Sequence, residues 1–184
     1  MSIFHHLFSN DKHMHTLIQQ VVKREVNTQL VTGLTGGARP AFIQALYEEM
    51  KEPIYVITSN LLQAQKLVDD MKSLIGDQNV FYYPADEFIA ANIAISSPEL
   101  RAQRIATLEK LVVKERGVYI IPIAGMRNMM TPYEQWKSSC LSTQVGEDIS
   151  LDVWLAKLVE MGYTRNQMVT TPGEFALRGG ILDI

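Results

Sequence analysis

The residues closest to chemistry form a glycine-rich stretch, Gly33-Leu34-Thr35-Gly36-Gly37-Ala38-Arg39-Pro40. A short apolar strand over Gln29–Thr32 is expected before it and a helix from about Pro40 to Met50 after it. Strand, glycine turn and helix in that order are the setting of a phosphate-binding loop. That chemistry needs G-x-x-x-x-G-K-[ST]. The glycines let backbone N–H groups face the phosphates, the lysine balances the terminal charge, and the hydroxyl holds magnesium. Counting from Gly33, the second glycine falls on Ala38, the lysine on Arg39 and the hydroxyl on Pro40. Proline supplies neither a hydroxyl nor an N–H, and arginine lacks the compact ammonium. The loop, Gly33, Gly36, Gly37, Ala38, Arg39 and Pro40, therefore reads as degenerate, with no catalytic residue in it.

Other residue groups point more weakly to function. His5, His6, His13 and His15 lack the cysteines and the spacing of a metal site, so no metal is expected. Asp69 and Asp70 are adjacent and do not share a helix face. Asp86 and Glu87 follow a strand, where α/β enzymes keep acids, but no intact phosphate loop serves them. Ser138, Ser139 and Cys140 have no nucleophile elbow and no nearby histidine, and Cys140 is expected to pack as a small side chain. Phe81, Tyr82 and Tyr83 could stack bases, and burial of at least two is the expectation. Arg101 and Arg104 share a helix face that reads as solvated. Trp136 and Trp154 read as packing residues.

Arg178 differs from these. In strict alternation Phe175 and Leu177 share one strand face, and Glu174, Ala176 and Arg178 the other. An arginine on the solvent face of a small rigid sheet is a common interface anchor.

The elements that must position these residues follow from apolar spacing. Helices are expected over Asp11–Asn27, with Leu17, Ile18, Val21, Val22 and Val26 inward, and over Pro40–Met50, with Phe42, Ile43, Leu46 and Met50 inward. Ile54–Thr58 reads as a strand buried on both faces. Asn60 caps a helix to Leu74, with Leu61, Leu62, Leu67, Val68 and Met71 inward. Val80–Tyr83 is a strand, Ser97 caps a helix to about Val113, and Gly117 opens the strand Val118–Ile121. Alternation of this kind means a parallel sheet with helices on both faces. After Trp136 the expectation changes to a small α+β unit. It has strands at Leu141–Val145, Met168–Thr171, Glu174–Leu177 and Ile181–Ile184, antiparallel in character, and a helix at Ser150–Met161. The chain stops inside an apolar strand, so a longer protein is expected.

The 184 residues are 47% hydrophobic, which excludes disorder as the main state. Seventeen Lys and Arg against twenty Asp and Glu leave −3, which excludes a nucleic-acid binder held by bulk charge. There is no apolar run long enough for a membrane span and no secretory signal pattern. The single cysteine fits a reducing cytoplasm.

Three stretches carry a family resemblance. Gly33 to Pro40 resembles the nucleotide loop of the excision-repair protein UvrB with its lysine and threonine lost. Ser97-Pro98-Glu99-Leu100-Arg101-Ala102-Gln103-Arg104 and Pro172-Gly173-Glu174-Phe175-Ala176-Leu177-Arg178-Gly179-Gly180-Ile181-Leu182-Asp183-Ile184 resemble the bacterial transcription-repair coupling factors, the Mfd family. Residues 1–28 read as an N-terminal helical segment outside the resemblance, which implies a UvrB-like, P-loop-NTPase-like domain without ATPase activity over 29–136. It implies the start of a small UvrA-binding domain over 137–184. It places a UvrA-contacting arginine at Arg178, with Glu174 and Phe175 supporting. It also implies that ATP, magnesium, double-stranded DNA and RNA polymerase are handled by a translocase motor and other domains outside this chain. UvrB carries a long tyrosine-rich hairpin for damaged DNA, and Ala85–Ser96 is too short for one and has no tyrosine. The rival readings are an active helicase or nucleotide kinase using the Gly33 loop, which Pro40 opposes, and a direct DNA-binding module.

Overall fold

The structure is a computed structural model and describes residues 12–85, 98–127 and 132–184. His5, His6, Asp86, Glu87, the Ser97 cap and all but the first residue of the Ala85–Ser96 stretch lie outside the described residues. The described chain falls into two compact units, one of 12–85 with Arg104–Arg127, the other of 98–103 with 132–184.

In the first unit three parallel strands, β1 (Ile54–Thr58), β2 (Val80–Tyr82) and β3 (Val118–Pro122), lie in the order β1-β3-β2. Ile54 and Val80 both register with Val118. Three helices serve this unit: α1 (Lys12–Val22), α2 (Ala38–Glu49) and α3 (Leu61–Ile75). The helix α4 (Pro98–Val112) precedes β3. The sheet is parallel and flanked by helices, as the alternation of patterns implies.

The core sits between α2, α3 and one sheet face. Ile43 and Tyr47 of α2 meet Ala64, Leu67, Val68 and Met71 of α3 over Val80, Val118 and Ile120. Asn60 caps α3 as expected, its side chain accepting from the Gln63 N–H at 2.9 Å. Arg116 ties the approach to β3 onto α2. Its Nε donates to the Met50 carbonyl at 3.1 Å, and its guanidinium lies 4.2 Å from the Tyr47 ring centroid.

Several expectations are corrected. Residues 29–32 form no strand. Both edges of β3 are taken by β1 and β2, and Leu30 is 88% exposed rather than packed. Helix α1 stops at Val22 rather than Asn27. Arg24 adopts φ +54°, its N–H donates to Val21 O, and that of Glu25 to Gln20 O, which closes a Schellman-type end. Of α1's apolar face only Ile18 is fully buried. On α2, Phe42, Leu46 and Met50 are only half-buried, while Ala41, Gln44 and Ala45 are buried with Ile43 and Tyr47. The reason is that α2 packs on two sides, with Phe42 and Leu46 lining a cavity shared with Leu17 and Val21 of α1. Strand β1 is not buried on both faces: Ile54 and Val56 join the core and Tyr55 and Ile57 are exposed. Leu62 is 81% exposed, since it falls off the face of α3 that carries Ala64, Leu67 and Met71.

The second unit holds α5 (Tyr133–Ser138), α6 (Leu151–Glu160) and a mixed sheet of β4 (Thr164–Arg165), β5 (Glu174–Arg178) and β6 (Ile181–Asp183). β5 and β6 are antiparallel, and the short β4 adds to β5 in parallel. Residues 141–145 are a turn region, not a strand. The Glu147 carboxylate accepts from the Gln144 N–H at 3.0 Å, Gly146 takes φ +95°, and Val145 is fully exposed. Residues 168–171 are likewise not a strand, because the Thr170 and Thr171 N–H groups are spent on Glu174.

Candidate functional site

The β5–β6 hairpin is built by its turn. Gly179 and Gly180 have φ +55° and +98°, the two positive values that a two-residue type I′ loop demands. Arg178 then registers with Ile181, Leu177 with Leu182, and Ala176 with Asp183. Paired residues share a face, so Ala176, Arg178, Ile181 and Asp183 lie together and Phe175, Leu177 and Leu182 lie opposite. Phe175 is 1% exposed and Ala176 is also fully buried. The expected division into a core face and a solvent face therefore fails at Ala176, because packing reaches the base of both faces. Toward the turn the expectation holds: Arg178 is exposed, and Ile181 beside it is exposed too.

Arg178 is not a lone cation. Its Nη2 donates to Asp183 Oδ2 at 2.7 Å, an ion pair between exposed side chains that the spacing argument missed. The signal was present in Gly179-Gly180, since a two-residue turn fixes Asp183 on the arginine's face. Arg165 of β4, also unforeseen, is exposed and registers with Phe175.

Glu174 holds the turn ahead of β5. One carboxylate oxygen accepts from the Thr170 N–H at 2.8 Å, the Thr170 hydroxyl at 3.0 Å and the Thr171 N–H at 3.1 Å. These bonds, the Thr170 backbone donor first, favour the ionised form and hold the carboxyl below its ordinary value. Glu174 and Phe175 thus serve as scaffold, one fixing the loop and the other anchoring the strand.

The glycine-rich loop is differently placed. Gly33 and Gly36 have φ +84° and +53°, and Gly37 precedes the first turn of α2 with no side-chain cap. The Ala38 N–H donates to Thr35 O at 3.1 Å, and Pro40 has no N–H to offer. Two of the donors that would face a phosphate are therefore gone. The loop borders a cleft of about 400 Å³ that Arg39, Pro40, Thr58, Ser59, Lys66 and Asp70 help to line. The Ser59 hydroxyl donates to the Gln63 side chain and that of Thr58 to the Asn60 carbonyl, so both are engaged at the start of α3. The cleft carries the cations of Arg39 and Lys66, and Pro40 stands where a hydroxyl would hold a metal in the loop signature.

The remaining candidates stay apart. His13 and His15 are exposed, and among the described residues no cluster of three His, Cys, Asp or Glu is placed to hold a metal. Asp69 is exposed and Asp70 half-buried. Cys140 is exposed rather than packed, because it follows the one-and-a-half-turn helix α5, where its Sγ donates to Trp136 O. Of the aromatic trio only Tyr83 is fully buried. Phe81 is half-buried and stacks on Tyr119 with ring centroids 4.7 Å apart, which takes it out of base stacking. Burial, with the Glu115 charge second, pushes the Tyr119 hydroxyl up to about 12. Arg101 is exposed and Arg104 half-buried, and Trp136 and Trp154 are half-buried. No helix among the described residues is long and apolar enough to cross a membrane.

Comparison with known proteins bears on the second unit first. The UvrB interaction domain family matches residues 141–184, the stretch that contains β4, β5, β6 and Arg178. A transcription-repair-coupling factor of Bacillus subtilis (strain 168) is 49% identical over 156 residues, covering 85% of this chain and 13% of that protein. One from Staphylococcus aureus (strain USA300) is 39% identical over all 184 residues, 16% of its length. The chain thus spans about one-sixth or less of the relatives it matches. The similarity to transcription-repair-coupling factors runs through both units of the chain.

Proposed function

We propose that this chain is the recruiting module of a transcription-repair coupling factor, binding UvrA without hydrolysing nucleotide. The observation that carries this reading is Arg178: a guanidinium exposed on a hairpin, inside the stretch that matches the UvrB interaction domain. Its remaining N–H donors suit carboxylates on the partner, and exposed Ile181, its register partner, sets apolar surface beside it. Buried Phe175 and the Glu174 latch make the platform rigid, which reduces the ordering cost of association.

The loop at Gly33 supports the second half of the reading. Ala38, Arg39 and Pro40 remove the signature, and the Ala38 N–H is turned inward. The first unit then acts as a UvrB-like scaffold rather than a motor. ATP, magnesium, DNA translocation and release of stalled RNA polymerase belong, in this reading, to parts of the full-length protein outside the chain, working in the cytoplasm.

The test is affinity for purified UvrA in the full-length protein. Arg178→Ala should weaken binding by about tenfold or more, an interface arginine being worth about 2 kcal/mol. Arg178→Lys should recover only part, since an ammonium cannot make the bidentate fork. Wild-type affinity in the alanine variant would overturn the reading.

A further inference from the structure

Resting on the recruitment reading, we infer that Asp183 is a positioning residue for that contact, aiming the Arg178 guanidinium at the partner. Arg178 Nη2 and Asp183 Oδ2 are 2.7 Å apart, on one face of a hairpin whose register is fixed by Gly179-Gly180. Arg178 keeps 62% of its side-chain surface and Asp183 39%. An ion pair this exposed adds little to folding, and the hairpin already has its turn and its ladder. Its consequence lies in the arginine's freedom. The guanidinium carries five N–H donors on a long flexible stem. Asp183 holds the Nη2 end and leaves the other donors pointing outward, beside exposed Ile181. Ala176, fully buried and in register with Asp183, marks where the carboxylate sits along the strand.

A side chain ordered before encounter loses less freedom on binding. The carboxylate also acts on selection. With Nη2 engaged by Asp183, the guanidinium's remaining donors offer a fork to one partner group, so a single carboxylate fits and a second anion near Asp183 is repelled.

The test is a double-mutant cycle in the full-length protein, read as affinity for purified UvrA with thermal melting alongside. Asp183→Ala should weaken binding by about two- to tenfold, the span expected for one freed side chain. Asp183→Asn, which keeps an acceptor oxygen, should retain most of the affinity, and neither should move the melting temperature. In an Arg178→Ala background, Asp183→Ala should change nothing further. Tighter binding by Asp183→Ala would overturn the inference and make Asp183 a competitor for the arginine. So would an undiminished loss in the Arg178→Ala background, which would assign Asp183 its own contact. If Arg178→Ala itself binds like wild type, the recruitment reading falls and this inference with it. If Arg178→Ala weakens binding and Asp183→Ala does not, only the positioning role falls.

Discussion

The Gly33 loop and the β5–β6 hairpin are both glycine-built turns that carry an arginine, yet they direct their polar groups oppositely. At the loop, backbone donors are removed or turned inward: Ala38 bonds Thr35, Pro40 has no N–H, and the nearby Thr58 and Ser59 hydroxyls donate to Asn60 and Gln63. At the hairpin, the glycines set a register that lifts Arg178 into solvent and supplies it with Asp183. A turn's glycines therefore say little about function until the destination of each donor is known. The loop keeps its glycines and its following helix while Ala38, Arg39 and Pro40 replace the signature residues. The hairpin carries an outward-facing cation.

If the first unit is scaffold, damage there should appear as lost stability. The largest effect is expected from Met71→Ala, since Met71 is fully buried in the core between α3 and the sheet. Chemical denaturation should show a loss of about 2–5 kcal/mol. A loss well under 1 kcal/mol would mean that this core does not hold the unit. Gly117→Ala should come next. A Cβ there would overlap the Phe81 ring and reach the Asn79 carbonyl at 3.0 Å, and overpacking of this kind costs about 1–3 kcal/mol. Pairing it with Phe81→Leu should restore part of the loss. No rescue would place the strain in the backbone instead.

In the second unit the expected change is smaller and depends on pH. Glu174 is held below its ordinary value near 4.5, so its bonds to Thr170 and Thr171 contribute fully above that value. Their contribution is lost as pH falls below it and through the folded-state pKa. Amide resonances of Thr170 and Thr171 should shift together in that window, and Glu174→Gln should abolish the shared titration. The smallest effect is expected at the loop. Replacing Ala38, Arg39 and Pro40 by Gly, Lys and Thr should give no magnesium-dependent ATP turnover, because phosphoryl transfer also needs a metal-holding acid and a water-positioning residue, which the loop does not supply. Turnover in that variant would erase the contrast between the two turns.

Elements set by local chemistry were legible in the sequence. The Asn60 cap, the β-branched run of β1 and Gly117 before β3 specify their own neighbourhoods, and each stands where its residues place it. What was not legible depended on distant partners. Residues 29–32 have strand-forming types, but the described sheet ends at β1 and β2, and the segment, with Leu30 88% exposed, pairs with neither outer edge. Thr170 and Thr171 look like strand residues until the Glu174 carboxylate claims their N–H groups. At the hairpin, Arg178 was found by type and alternation, whereas Asp183 needed the register that the turn imposes. Arg165 was hidden because the neighbouring strand was expected four residues later than it forms.

The central claim is that recruitment resides in the hairpin and is separable from the motor. The most direct measurement takes one full-length variant, Arg178→Ala, and reads two activities side by side: affinity for UvrA and ATP-driven release of stalled RNA polymerase. The account expects UvrA affinity to fall by about tenfold or more while release proceeds at the wild-type rate. Wild-type UvrA affinity in that variant, or loss of both activities together, would contradict it.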